Sequence, residues 1–269
     1  MTGITSHNSI LMVIPTLGQR LDFLRLTLES LTRQGSHVVD VVVVCPAGAL
    51  GARALAVEFG ATVMDEPEDA RGMSAAINAG FESALSHHRY LSWIGDDDLL
   101  EPGALIACVR AIEANDRSVL AFGQCRYIDD RGRQILVSRA GRLAPRILAW
   151  GPDLVPQPGL VFVREAVEAV GMLDTSLRYA MDLDLLLRLR QRGQFLFLNQ
   201  VVASFRWHGS SSTVANRGAS LAEAQRVQRR YVSRPLRPML TSAGPLVRLA
   251  TRLAARRVTK LAAKLRPTG

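Results

Sequence analysis

The sequence lacks the features of a membrane-spanning or disulfide-stabilised protein. Its longest apolar runs, such as residues 41–45, are far shorter than the ~18 residues that a transmembrane helix requires. Residues 1–9 contain no basic cluster followed by a long apolar core, so we expect no cleaved secretion signal. The cysteines Cys45, Cys108 and Cys125 are odd in number and lack metal-ligand spacing, which argues against a disulfide framework and a zinc site. We therefore expect a protein of the reducing cytosol.

Acidic residues are almost missing from the C-terminal part of the chain. Residues 217–269 contain 13 Lys and Arg residues but a single acid, Glu223, which gives them a net charge of +12, whereas the 216 residues before them have a net charge of −3. This division predicts a globular domain over residues 1–214 and a basic helical segment over residues 215–269 that meets an anionic surface. Nucleic acid is not the expected partner, because the segment has one aromatic residue, Tyr231.

The apolar residues of 246–265 follow a helical period, with Arg248, Arg252, Arg256 and Lys260 on the opposite side. One interpretation is an amphipathic helix that lies on the inner face of the plasma membrane, which would make a cytoplasmic protein peripheral to that membrane. The alternative is a helix packed on the globular domain with a solvated basic face.

The chain has ample material for a core, since 48% of its 269 residues are hydrophobic and 21% are charged. Short β-type runs alternate with helical patterns in the first two thirds, which predicts an α/β fold. The predicted strands are residues 10–14, 38–44, 61–64, 90–94, 119–127, a polar strand to 137, 160–163, 195–198 and 201–205. The predicted helices are residues 21–34, 52–59, 73–86, 102–114, 165–170 and 183–192.

Three carboxylates, those of Asp96, Asp97 and Asp98, directly follow the apolar strand 90–94. The carboxyl ends of strands are where open α/β sheets bind ligands, and clustered carboxylates bind hard divalent cations. The alternative is an acidic turn that caps the next helix. The position at a strand end favours the metal.

Two further segments carry polar groups in suggestive places. Asp182 and Asp184 precede a Leu- and Arg-rich helix, where either can be a helix cap. Residues 205–213 end a strand with Arg206, Trp207, His208 and a hydroxyl cluster. A lone His at a strand end is more often structural than catalytic.

Five segments together resemble a known family over residues 9–213. They are Val13 to Arg20, with its Pro-Thr loop; residues 71–80, with Gly72, Asn78 and Gly80; the acidic segment with its following Pro-Gly-Ala-Leu, residues 93–105; residues 157–189; and residues 205–213. In this order and spacing they are similar to the family 2 glycosyltransferases, enzymes of the GT-A fold. That fold is a mixed, mostly parallel sheet flanked by helices.

The resemblance implies inverting transfer of a sugar from a nucleotide-diphosphate donor to a hydroxyl of a glycan or lipid-linked acceptor, as in cell-envelope polysaccharide or glycolipid synthesis. Asp182 is the expected general base. Asp97 and Asp98 are the expected ligands of Mn²⁺ or Mg²⁺, and Arg206, Trp207 and His208 form the expected acceptor or diphosphate loop. The expected nucleotide-sugar contacts are Pro15, Thr16, Arg20, Asp69, Asn78 and Asp96.

The sequence departs from the family pattern at three places. The second strand ends in Cys45-Pro46-Ala47-Gly48 where the family commonly has Asp-Asp-Gly-Ser, so the nucleobase contact is missing and Asp69 is a substitute candidate. Gly95 takes the first acidic position, which makes Asp97 the principal metal ligand. Met181 replaces the neighbour of the base.

Two alternatives remain from the sequence. A dinucleotide-binding dehydrogenase is suggested by a strand that runs into Gly48 and Gly51, although a complete Gly-x-Gly-x-x-Gly pattern is missing. An inactive glycosyltransferase-like assembly or binding protein is suggested by the missing nucleobase motif.

Overall fold

The computed structural model describes residues 10–35, 38–68, 72–138, 141–151, 153–207, 216–232, 253, 257–258 and 260–261. The strands are β1 (Ile10–Pro15), β2 (Val39–Cys45), β3 (Thr62–Asp65), β4 (Tyr90–Trp93), β5 (Leu99–Leu100), β6 (Ser118–Ile128), β7 (Gln134–Val137), β8 (Val161–Val163) and β9 (Gln194–Arg206). The helices are α1 (Leu21–Thr32), α2 (Leu50–Glu58), α3 (Met73–Glu82), α4 (Ala104–Glu113), α5 (Ala144–Ile147), α6 (Arg164–Ala169), α7 (Met181–Leu189) and α8 (Arg217–Tyr231).

The strands of the described residues form one mixed sheet in the order β3-β2-β1-β4-β8-β6-β9-β5, with β7 paired to β6. The block β3-β2-β1-β4 is parallel, and β6 and β9 are also parallel. The pairs β4–β8, β6–β8, β6–β7 and β5–β9 are antiparallel. The predicted mixed sheet is confirmed, with as many antiparallel as parallel pairings in the part of the chain described.

The sheet is covered by helices on both faces, because its central strands alternate between two apolar cores. In β1, Leu11 and Val13 belong to the core shared with α3 and α7, whereas Ile10, Met12 and Ile14 belong to the core shared with α1, α2 and α4. Both cores use buried Leu, Val and Ile side chains, as the hydrophobic runs predict.

Several elements differ from the sequence prediction, and the short strand β5 and the short helix α5 have no counterpart in it. Helix α7 begins at Met181 rather than at residue 183, which places Asp182 and Asp184 inside the first turn and leaves Ala180 as the N-cap. Strand β9 is continuous, although residues 195–198 and 201–205 predict two strands. It stays continuous because it pairs with the 11-residue strand β6, which accommodates irregularities between Gly123 and Cys125.

Helix α8 contacts the residues that precede it. Val227 is fully buried, and the Gln228 Nε2 donates to the backbone oxygens of Leu148 and Gly151, each at 2.7 Å. The division at residues 214 and 215 stays a prediction. The predicted helix over residues 246–265 lies outside the described residues except at five positions. None of the described helices has the length and apolar character to cross a bilayer.

Candidate active site

The acidic segment lies where the sequence analysis predicts, at the carboxyl end of β4. Val13 and Trp93 are paired in register, so the chain leaves β1 and β4 side by side. Thr16 and Arg20 from one exit therefore face Asp96 and Asp97 from the other. The side chains of Asp96 and Asp98 are largely buried, and α4 begins after Gly103 without a side-chain cap. The helix-cap interpretation of this segment is therefore wrong.

One cation joins two of the carboxylates. The Arg20 guanidinium donates from Nη2 to Asp96 Oδ1 and from Nη1 to Asp97 Oδ2, both at 2.7 Å. The Thr16 hydroxyl donates to Asp96 Oδ2 at 2.6 Å and accepts from the Gly18 N–H at 3.0 Å. Burial raises the pKa of Asp96, an effect that the bonds from Thr16 and Arg20 oppose.

Asp98 and Arg206 lie beneath this pair of carboxylates. Asp98 Oδ1 accepts the backbone N–H of Arg206 at 2.9 Å, and burial together with the charge of Asp97 raises its pKa well above the ordinary value. The Arg206 side chain is 1% exposed, and its Nε donates to the backbone oxygen of Asp97 at 2.9 Å. Its guanidinium also stacks 4.4 Å from the Phe23 ring centre and donates to the backbone oxygen of Asp129. Asp98 and Arg206 thus support the segment that presents Asp97.

Helix α1 holds the same segment from the other side through a polar stripe at helical spacing. The Thr27 hydroxyl donates to the backbone carbonyl oxygen of Asp98 at 2.8 Å, and the Ser30 hydroxyl accepts the backbone N–H of Leu100 at 3.1 Å. The Gln34 Nε2 donates to the backbone carbonyl oxygen of Glu101 at 2.8 Å. Sequence reasoning missed this role, although buried-face polar residues at i, i+3 and i+7 are a usable signal.

Asp182 lies in the first turn of α7 beside a second acid that the sequence analysis missed. Its Oδ1 accepts the Leu183 N–H at 2.8 Å, and burial raises its pKa, with the charge of Glu223 adding to the effect. Asp153 lies in the loop before β8 and is exposed to solvent, although protein groups crowd around its carboxylate. Burial and the charge of Asp182 raise the pKa of Asp153 to about 8. No sequence signal identifies Asp153, because its environment arises only in the folded chain.

Two contacts place the Asp182 region on the same edge of the sheet as the acidic segment. At the start of α3, which follows β3, the Ser74 hydroxyl lies 2.8 Å from the Met181 sulfur. Gln157 donates to the Trp93 backbone oxygen at the end of β4, at 2.9 Å. The residues around Asp182 and Asp153 therefore adjoin the carboxyl ends of the parallel strands.

The other predicted site residues have varied surroundings. Pro15 ends β1 and is buried. The side-chain amide of Asn78 makes two hydrogen bonds with the Leu173 backbone. Its Nδ2 donates to the carbonyl oxygen at 2.9 Å, and its Oδ1 accepts the N–H at 3.0 Å. The backbone N–H of Trp207 donates to the backbone carbonyl oxygen of Ile128 at 2.8 Å. Asp69 and His208 lie outside the described residues.

The end of β2 has an acidic neighbour despite the missing motif. The Glu66 backbone N–H donates to the Cys45 oxygen, and the Glu66 carboxylate accepts the Gly72 N–H at 2.9 Å. The Glu66 carboxylate thus lies near the position where the family pattern has its first acid.

A separate group of potential metal ligands lies at the amino ends of β2 and β4, the opposite edge of the sheet. The ligand atoms of Asp40, His87 and His88 lie within 4.8 Å of one another. His88 Nδ1 accepts the Leu85 N–H at 2.9 Å, so in the neutral ring Nε2 carries the proton and donates to Asp40 at 2.9 Å. A metal on Nε2 requires the proton on Nδ1, which this bond opposes.

The family comparison decides the identity. The model for glycosyl transferase family 2 matches residues 12–169, more than half of the chain. The chain belongs to glycosyl transferase family 2. Two curated relatives, the uncharacterized glycosyltransferases RP339 of Rickettsia prowazekii and RT0329 of Rickettsia typhi, are each 18% identical to it, over 77% of this chain and 67% of their own length.

Solved structures share the fold of this family 2 glycosyltransferase. S. aureus TarS 1-349 in complex with UDP-GlcNAc has a TM-score of 0.63 at 14% identity, and the match covers 83% of this chain and 65% of TarS 1-349. The mannosyltransferase PcManGT from Pyrobaculum calidifontis, in complex with GDP-Man and Mn²⁺, has a TM-score of 0.66 at 18% identity, over 98% of this chain and 77% of PcManGT. The predicted GT-A fold and glycosyltransferase class are confirmed, and the dehydrogenase alternative is set aside.

Proposed function

We propose that this family 2 enzyme transfers a sugar, with inversion, from a nucleoside-diphosphate donor to a hydroxyl of a glycan or lipid-linked acceptor. The observation that carries the proposal is the meeting of two groups at one sheet edge. The first is the acidic pair Asp96 and Asp97 with Arg20, and the second is the half-buried carboxyl of Asp182. A cation-binding pair and a separate base are what a single displacement at a sugar carbon requires.

Asp97 is the proposed ligand of a divalent cation. Carboxylate oxygens suit Mn²⁺ and Mg²⁺, and PcManGT holds Mn²⁺ together with its GDP-mannose. The Asp97 side chain is 14% exposed and already accepts a cation, the Arg20 guanidinium, so its surroundings suit positive charge. The Asp98 carboxylate is buried against the Arg206 N–H, so we propose it supports Asp97 rather than reaching the metal itself. A cation held by Asp97 would supply positive charge that offsets the negative charge of the departing diphosphate.

We propose that Asp182 is the general base, which takes the proton from the hydroxyl of the sugar acceptor. A raised pKa makes its carboxylate a stronger base than an ordinary aspartate while it stays largely ionised above that pKa. The sugar's anomeric carbon forms its new bond to the acceptor oxygen as the bond to the diphosphate oxygen breaks on the opposite face. This path needs one base and gives inversion.

Uridine, guanosine and deoxythymidine diphosphate sugars, screened with and without Mn²⁺, test the reaction directly. We expect turnover with at least one donor, and NMR of the first product should show the opposite anomeric configuration from the donor. A product that retains the donor configuration would contradict inversion, and a lack of both turnover and donor binding would contradict the function itself.

Asp97→Ala tests the metal assignment. We expect Mn²⁺-dependent donor binding, measured by calorimetry, to be lost while the thermal unfolding midpoint holds or rises, because one of three adjacent like charges is removed. Asp130→Ala, a change at the Asp129-Asp130 turn, is the control. Unchanged Mn²⁺-dependent affinity in Asp97→Ala would exclude this carboxylate as a ligand.

We further propose that the basic segment beyond α8 holds the enzyme at an anionic membrane surface on the cytoplasmic side. Seven basic residues and no acidic residue lie in residues 248–266, and the described Arg257 and Lys260 side chains are exposed. Attachment of this kind would bring a lipid-linked acceptor to the site.

A further inference from the structure

Glu223 is the single acidic residue of the basic segment, yet it is 6% exposed and faces inward from α8. Its Oε2 accepts three consecutive backbone N–H groups, those of Arg178 at 3.1 Å, Tyr179 at 2.5 Å and Ala180 at 2.9 Å. Charge-assisted bonds to a carboxylate are stronger than bonds between neutral groups. Three of them on one oxygen fix the course of this backbone segment.

The fixed segment leads directly into the first turn of α7. Ala180 is the N-cap residue and supplies no side-chain cap, and Glu223 binds the N–H groups of the three residues that end at this N-cap. Asp182 follows two residues later. The backbone that Glu223 binds therefore leads directly to the residue that carries this carboxyl.

The rest of α8 keeps Glu223 in place independently of these bonds. Val227 is fully buried one turn further along, and Gln228 donates to the backbone oxygens of Leu148 and Gly151. Tyr231 donates to the buried Asp184 on α7 at 3.2 Å. The helix is therefore a fixed support from which Glu223 reaches residues 178–180.

Glu223 also acts through its charge. Burial favours its neutral form, but the N–H groups of Tyr179, Ala180 and Arg178 outweigh it and hold the pKa of Glu223 below the ordinary value. The ionised carboxylate adds to the burial effect that raises the pKa of Asp182. Asp153 faces Asp182 from the loop before β8, whereas Asp184 is paired with Arg188 at 2.8 Å.

We propose that Glu223 is a positioning residue for the base Asp182: it holds residues 178–180 and supplies a fixed negative charge near the base. This inference rests on the proposed function, because it assigns Asp182 the role of base. It also makes α8, the first helix of the basic segment, part of the machinery of transfer.

Three variants separate positioning from mere support of the fold. Glu223→Ala removes both the acceptor and the charge, and Glu223→Gln keeps an oxygen acceptor but removes the charge. Val227→Ala weakens the docking of α8 without touching residues 178–180, so it serves as a stability-matched control. The measurements are kcat and donor KM across pH, thermal unfolding, and amide hydrogen exchange of residues 178–183.

For Glu223→Ala we expect kcat to fall ~10- to 100-fold with donor KM within about threefold, since the proposed donor contacts Thr16, Arg20 and Asp96 lie just beyond the ends of β1 and β4 and make no bond to residues 178–180. Glu223→Gln should retain most of kcat. In both variants the acidic limb of the pH profile should move to lower pH, because a negative charge near Asp182 is gone. Val227→Ala should leave the limb in place.

Two results would overturn the proposal. The first is a Glu223→Ala variant with wild-type kcat and no movement of the acidic limb of its pH profile. The second is an equal loss of kcat in Glu223→Ala and Val227→Ala when the two variants are equally stable. If the wild-type chain transfers no sugar, the proposed function fails by itself. Hydrogen exchange then still decides the structural step: faster exchange at residues 178–180 in Glu223→Ala supports it, and unchanged exchange overturns it.

Discussion

At the scale of the residue, three adjacent carboxylates have three different environments. Asp96 is bonded to Thr16 and Arg20, Asp97 shares Arg20 and retains some exposure, and Asp98 is buried against the Arg206 backbone. Adjacent like charges are costly, and partners on three elements reduce that cost. Of the three carboxylates, that of Asp97 is the most exposed to solvent.

Asp182→Asn should lower kcat by ~100-fold or more while donor affinity stays nearly constant, because the amide keeps the shape of the side chain but accepts no proton. In the wild-type enzyme, kcat should fall as the pH drops through the raised pKa of Asp182. Steady-state kinetics and donor calorimetry check both points. Asp116→Asn, the same change at an exposed turn, is the control. A loss of only a few-fold would favour a structural role for Asp182.

Asp153→Asn should stabilise the protein in a pH-dependent manner. The folded-state pKa of Asp153 is raised to about 8, above its ordinary value of 3.8, so the folded state loses stability as pH rises from about 4 to about 8. Asn avoids this loss and still accepts the Val155 N–H. The difference in thermal midpoint between variant and wild type should grow over that pH interval and then level off. A difference that is constant with pH would contradict the raised pKa.

Residue types and positions made part of this site predictable. Thr16, Arg20, Asp96 and Asp97 do come together, because strand ends in a parallel block converge. Asp153 could not be found, since its raised pKa is a product of its folded surroundings. Glu223 had a signal that sequence reasoning left unused: it stands alone among basic residues.

At the scale of the element, α3 lies unusually close to β1. A Cβ added to Gly80 would lie 2.6 Å from both Cγ atoms of Val13. Real side chains do not approach so closely, so the contact depends on glycine at this position. The close approach brings the start of α3, with Ser74, to the edge where Met181 begins α7.

Gly80→Ala should therefore destabilise the fold by ~1–2 kcal/mol, because overpacking against Val13 costs more than the better helix propensity of alanine gains. The matched control is Gly218→Ala in α8, where an added Cβ meets nothing within 4 Å and stability should hold or rise. Denaturant unfolding measures both. Combining Gly80→Ala with Val13→Ala relieves the clash. A double variant whose free energy of unfolding is no higher than the sum of the two single effects predicts would contradict this explanation.

Hydrophobic periodicity predicted the order of nearly all elements because the strands are apolar and the helices amphipathic. It failed where tertiary pairing decides the outcome. Strand β9 is continuous because β6 pairs with it on both sides of residues 199 and 200, and the residue before α7, Ala180, is bonded to Glu223, which lies far along the chain. Neither cause can be read from a local window.

At the scale of the whole molecule, the chain has a folded body of low net charge and a strongly basic end. Among the described residues of that end, Val258 is 8% exposed whereas Leu253 is 54% exposed. The two residues differ in packing although the helical pattern assigns both to the same apolar arc.

The full chain should sediment with anionic vesicles and not with neutral ones, and a chain that ends at residue 243 should lose this preference. Each basic residue near the surface contributes ~1 kcal/mol, so added salt should release the full chain. The truncation keeps α8, and its thermal midpoint reports whether the body is intact. Equal binding by both chains would contradict the membrane proposal.

The dependence of residues 178–180 on Glu223 has a consequence for biosynthesis. A ribosome delivers the strands of the sheet before it delivers α8, and domains can begin to fold during synthesis. Until residue 223 emerges, the N–H groups of Arg178, Tyr179 and Ala180 lack the carboxylate that gathers them. On the proposed roles of Asp182 and Glu223, the nascent enzyme gains an oriented base only after α8 emerges, and we expect a chain interrupted before α8 to lose turnover before it loses donor binding.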